Sequence, residues 1–151
     1  MDDFAHLLLG FLIFKALALS GRKIGKLELA AVLLGSIAPD VAWSSGLVPQ
    51  YAVSHVATYY ALLALPFLLS GKTRWAGACF ALAATAHVLV DAFIHLGTWV
   101  PFYPLTQVSI VGLLNYWEHW WAMAAYWLVL LALLALVLWA EKKKTGKARL
   151  V

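Results

Sequence analysis

The chain has 151 residues, 64% of them hydrophobic and only 12% charged, with a formal net charge of +4. A soluble domain is about half apolar and about a quarter charged, so this chain has too little charge to cover a soluble surface. Polar tracts and periodic glycine are absent and Cys79 is the lone cysteine, which removes disordered, collagen-like and disulfide-scaffold classes as well.

In chain order, five apolar stretches are long enough to cross a hydrocarbon layer of about 30 Å, which takes roughly 17 to 25 helical residues. They lie at residues 4–20, 27–45, 53–70, 75–97 and 116–140. Backbone groups in lipid need partners within their own segment, so each stretch is predicted helical. The expected fold is all-α, a polytopic bundle of about five transmembrane helices forming one domain over 1–151. A cleavable signal is not expected, because Asp2 and Asp3 stand where a signal carries basic residues.

The basic residues predict the orientation. Arg22, Lys23 and Lys26 fall between stretches one and two, and Lys72 and Arg74 between three and four. Lys142, Lys143, Lys144, Lys147 and Arg149 form the tail, and the exception, Lys15, is near enough to the same side to snorkel. Segments 46–52 and 98–115 carry no Lys or Arg. The expected topology is therefore N-outside and C-inside in a cytoplasmic (inner) membrane. The basic tail then reads as a topology signal touching anionic lipid, and no nucleic-acid partner is expected. Trp43, Trp99, Trp117, Trp120 and Trp121 are predicted at the outer boundary, and Trp75 and Trp139 at the inner one.

Within that topology the remaining polar groups acquire a depth. His6 opens the first stretch, Asp40 is late in the second, His55 starts the third, His87, Asp91 and His95 rise along the fourth, and Glu118 and His119 open the fifth. All eight fall in the outer half. His87-x-x-x-Asp91-x-x-x-His95 puts three ligand types on one helix face, and the same stretch is rich in Ala and Gly, which lets neighbouring helices approach closely. Ionisable groups at membrane depth point to function. Imidazole and carboxylate without a thiolate cluster suit Zn²⁺, Mn²⁺ or Fe²⁺. In the second stretch, Pro39 is expected either to break the helix at Ala38, turning Asp40 inward and freeing carbonyls beside the site, or to form an ordinary proline kink.

Ala5-His6-Leu7-Leu8-Leu9-Gly10, Gly35 with Pro39-Asp40, His87 to Asp91 and Pro101-Phe102-Tyr103-Pro104 resemble, over about residues 1–107, the predicted membrane-bound metal-dependent hydrolases. That family includes an SOS-regulated inner-membrane protein. The resemblance implies a metal site of His6, Asp40, His55, His87 and Asp91, with Gln50 where the family carries a further histidine. A looser similarity in ligand order connects the chain to zinc-dependent phospholipase C and single-strand-specific nucleases, which build a trinuclear zinc site. There Met123 stands in the place of a final Glu.

The expected function is hydrolysis of an ester or phosphoester of a phospholipid-like amphiphile at the outer leaflet, with one or two divalent ions, zinc foremost. Asp91 or Glu118 is the expected proton acceptor, and His95 or His119 the donor to the leaving group. Membrane lipid and a small amphiphile are the expected partners, and segment 98–115 is expected either to cover the site or to form a plain loop. The alternative is a non-enzymatic protein that uses the same His/Asp cluster to bind metal or haem, or to transport ions or protons.

Overall fold

The structure, a computed structural model, describes residues 3–48, 50–114 and 118–148, with the side chains of the last helix described to Lys144. Asp2, Tyr116, Trp117 and Arg149 lie outside the described residues, as does the side chain of Lys147. The molecule is mostly helical. The helices are α1 (Asp3–Leu19), α2 (Lys26–Ser44), α3 (Tyr51–Ser54), α4 (Ala57–Leu69), α5 (Arg74–Ile94) and α6 (Trp120–Ala148). Between α5 and α6, β1 (Thr98–Trp99) and β2 (Ile110–Val111) pair antiparallel, with Thr98 opposite Val111 and Trp99 opposite Ile110.

Among the described residues, three helices are long and apolar enough to cross a membrane: α2, α5 and the Trp120–Lys144 part of α6. With a rise of about 1.5 Å per residue, α1 is about 26 Å long and α4 only about 20 Å. Of the five spans expected from sequence, the third is not one continuous helix. The third stretch is interrupted at His55 and Val56, and α3 and α4 meet there at an extended Val56.

α5 is the hub, packed against both α2 and α4. Its buried face is Ala76, Gly77, Cys79, Ala83, Ala84, His87, Val88, Asp91 and Ala92, so small side chains admit the neighbours and the two ligands share their stripe. The approach to α2 is closest at Gly35, where an added Cβ would collide with the Phe80 backbone carbonyl. Val32, Cys79 and Ala83 form the core beneath, with Ile13, Phe14 and Leu17 of α1 packed on it.

α6 is attached differently. It meets α1 through Leu130 with Ala5 and Leu12, flanked by Tyr126, Trp127, Leu134 and Val137. At its far end Lys15 Nζ reaches both oxygens of Glu141, at 2.8 and 3.0 Å, and Lys144 Nζ donates to the Leu19 carbonyl at 3.1 Å. Lys15, expected to snorkel, is thus paired with Glu141.

The expected break at Pro39 does not occur. α2 continues through it to Ser44, with Pro39 buried. A proline in a helix removes one backbone donor, and neighbouring groups can absorb that loss without ending the helix. Asp40 faces the interior because of its position on the continuous helix, one residue past the proline.

Candidate metal centre

Four elements deliver the polar groups to one buried place. α1 brings His6 in its first turn, α2 brings Asp40 in its last turns, the α3–α4 break brings His55, and α5 brings His87 and Asp91. All five are buried, between 0% and 4% exposed, a state that ionisable groups reach only when paired or coordinated. Asp40, His55, His87 and Asp91 each offer one ligand atom, and those four atoms lie within 4.8 Å of one another.

Hydrogen bonds behind the rings decide which nitrogen faces inward. His87 Nδ1 donates to the Ser36 carbonyl at 2.6 Å, and His55 Nδ1 donates to the Tyr51 carbonyl at 2.9 Å. When neutral, each ring therefore keeps its proton on Nδ1 and presents an Nε2 lone pair to the centre. The two Nε2 atoms are 3.2 Å apart, and two lone pairs cannot bond to each other. Asp91 Oδ2 lies 3.2 Å from His55 Nε2 and 3.5 Å from His87 Nε2, and Asp40 Oδ1 lies 3.5 and 3.8 Å from the same two atoms.

The other carboxylate oxygen of Asp91 faces elsewhere. Oδ1 lies 3.3 Å from His6 Nε2 and 3.7 Å from His95 Nε2. The His6 ring stacks on that of His87 with centroids 3.8 Å apart. Among the described residues, both Asp40 oxygens, Asp91 Oδ1 and His6 Nδ1 are buried with no hydrogen-bond partner. Unpartnered buried carboxylate oxygens cost several kcal/mol, so the group has donor atoms in excess of protein partners. A divalent cation removes both conflicts, and nitrogen and oxygen donors without sulfur match the preference of zinc.

The sequence reading missed Tyr51. Its hydroxyl donates to Asp91 Oδ2 at 2.7 Å and its ring packs on His55 with centroids 3.9 Å apart. Burial, and then the Asp91 carboxylate beside it, push the phenol far above its ordinary range, so it is held as a donor. Gln50, immediately before it, is exposed at the start of α3.

Trp99, expected at the outer boundary, is buried against the centre. Its ring lies 5.5 Å from Tyr51 and 5.8 Å from His55, and its indole donates to the His95 carbonyl at 3.2 Å. Segment 98–114 consequently forms an arm against the centre. Gly112 is seated so close to the His95 carbonyl that no Cβ would fit, and the Pro101 carbonyl accepts from Ala57 N–H at 2.7 Å.

His95, at the end of α5, is part-buried and touches the group through Asp91. Glu118 and His119 are placed otherwise. Both are exposed ahead of α6, where His119 stacks on Trp121 with centroids 5.5 Å apart, and no described contact brings either to the cluster. Met123 is likewise exposed on α6.

Geometry and donor chemistry together define a buried His/Asp centre for a divalent metal. The family model described as zinc dependent phospholipase C matches residues 5–136, and the chain belongs to that family. The looser of the two sequence resemblances is thus the one that carries membership, and it identifies a zinc-dependent hydrolase. No curated protein and no solved structure matches the chain.

Proposed function

We propose that the protein is a multi-pass membrane hydrolase that cleaves phospholipids on the glycerol side of the phosphate, working at the extracytoplasmic leaflet. The carrying observation is the inward-facing pair of Nε2 lone pairs on His55 and His87 beside the buried Asp40 and Asp91. The family supplies the substrate class. The resemblance over residues 1–107 to membrane-bound metal-dependent hydrolases, the SOS-regulated type included, supports the membrane setting.

The orientation rests on the separation of charge. The His/Asp group is built from the beginning of α1 and the ends of α2 and α5, whereas Arg22, Lys23, Lys26, Lys72 and Arg74 occupy the opposite turns. The basic end faces the cytoplasm by the positive-inside rule, leaving the centre at head-group level outside.

His6, Asp40, His55, His87 and Asp91 hold the metal. The oxygens of Asp91 face two different sets of imidazoles, His55 with His87 and His6 with His95, an arrangement suited to one or two ions. When bound, zinc supplies Lewis acidity and a nucleophilic water at neutral pH. Asp91 is committed to the histidines around it, so proton handling falls to His95, the least buried of the imidazoles at the centre, which would take the proton of the attacking water and return it to the departing diacylglycerol oxygen. The Trp99 arm keeps bulk water from the centre. Glu118 and His119 have no part in this reading.

Purified protein reconstituted with phosphatidylcholine, phosphatidylethanolamine or phosphatidylglycerol vesicles is expected to release diacylglycerol, read by mass spectrometry. The release stops with a zinc chelator and in His87→Ala. Zinc-independent release, or none from any head group, contradicts the proposal, and a Soret band in the purified protein would replace it with haem binding.

A further inference from the structure

Tyr51 contacts two members of the cluster in three ways. Its hydroxyl donates to Asp91 Oδ2 at 2.7 Å, its carbonyl accepts from His55 Nδ1 at 2.9 Å, and its ring packs on the His55 imidazole. Tyr51 is itself held. Its ring meets Trp43 edge-on with centroids 5.2 Å apart and Trp99 at 5.5 Å. Ser54 Oγ also donates to its carbonyl at 2.8 Å, fixing the single turn of α3. Without these contacts Asp91 could rotate and the His55 ring could carry its proton on either nitrogen, since His55 follows a short helix and is not restrained within a long one.

Resting on the metal-centre reading above, we propose that Tyr51 is a positioning residue that preorganises the centre for zinc. Its hydroxyl fixes the rotamer of Asp91, and its carbonyl and ring fix the tautomer and plane of His55. Partners that orient metal-bound imidazoles and carboxylates in this way typically contribute about 10- to 100-fold in metal affinity. Tyr51 thereby makes a site from ligands that come from four separate elements, one of which is a break between helices.

The test compares full-length wild type, Tyr51→Phe, Tyr51→Leu and His87→Ala in detergent, titrating zinc against a chromogenic chelator and melting each protein with and without zinc. Tyr51→Phe keeps the ring, the carbonyl and nearly the volume, and loses only the hydroxyl. The expected result is unchanged zinc stoichiometry with affinity weakened about 10- to 100-fold. Tyr51→Leu, which also takes the ring off His55, weakens affinity at least as much, and His87→Ala loses stoichiometric zinc. A role in packing alone would lower the melting temperatures of the zinc-free and zinc-loaded forms equally and leave affinity within twofold, which overturns the proposal. Should Tyr51→Phe not fold, the affinity of Tyr51→Leu decides: a value within twofold of wild type refutes positioning by Tyr51, and a tenfold or larger loss supports it. If His87→Ala keeps its zinc, the metal-centre reading itself fails, an outcome distinct from failure of the Tyr51 proposal.

Discussion

α5 and α6 are both long apolar helices, and the molecule uses them in opposite ways. α5 buries an alanine-rich stripe between α2 and α4 and carries His87 and Asp91 on that stripe. α6 is the more apolar and the less buried, with Leu128, Val129, Leu131, Leu133, Leu136 and Leu138 exposed. It is fastened to α1 by one apolar seam and by the Lys15–Glu141 pair. Apolarity alone therefore says little about role. Small side chains bring backbones close enough for shared ligands, whereas a helix of large exposed leucines is suited to contact with lipid and contributes no described ligand to the centre.

Substitutions at matched places break or sharpen this contrast. The largest effect is expected on the ligand stripe: Asp91→Ala abolishes stoichiometric zinc binding and lipid hydrolysis, read by metal analysis and diacylglycerol release. The next is in the packing of α5. Gly35→Val forces a side chain against the Phe80 carbonyl and should lower stability by about 3 kcal/mol, measured by thermal unfolding in detergent, with zinc retention falling in parallel. The smallest effects belong to α6. Glu141→Gln removes a partly exposed ion pair and is expected to cost about 1 kcal/mol or less, with zinc content and activity unchanged. Leu131→Ala, on the exposed face, should change stability by no more than about 0.5 kcal/mol. A large loss of zinc in either α6 variant would erase the distinction.

Most of the cluster was legible before the fold was known, for a physical reason. His, Asp and Glu are rare in apolar helices, so once the helices are placed end to end, depth gathers eight candidates, and the family resemblance narrows them to His6, Asp40, His55, His87 and Asp91. The i, i+4 spacing of His87 and Asp91 needed nothing more than helix geometry. Depth cannot resolve rotation or distance along a connection. Glu118 and His119 shared the inferred depth, yet stand exposed ahead of α6. Tyr51 lay in a segment without periodicity, and only the turn of α3 brings its hydroxyl to Asp91. Sequence assigns Trp99 a depth but no direction: pairing of β1 with β2 and the fit of Gly112 against the His95 carbonyl turn its ring inward. Pro39 was over-read as a break: the continuous α2 places Asp40 as well as a broken one would.

The central claim is that zinc sits among these imidazoles and carboxylates on the α5 stripe. X-ray absorption at the zinc edge of the purified wild-type protein tests it most directly. The account predicts only nitrogen and oxygen neighbours at about 2.0–2.2 Å, with the outer scattering of at least two imidazoles, and loss of that signal in His87→Ala. Sulfur at about 2.3 Å, which would mean ligation by Cys79, or a spectrum unchanged in His87→Ala, would contradict it.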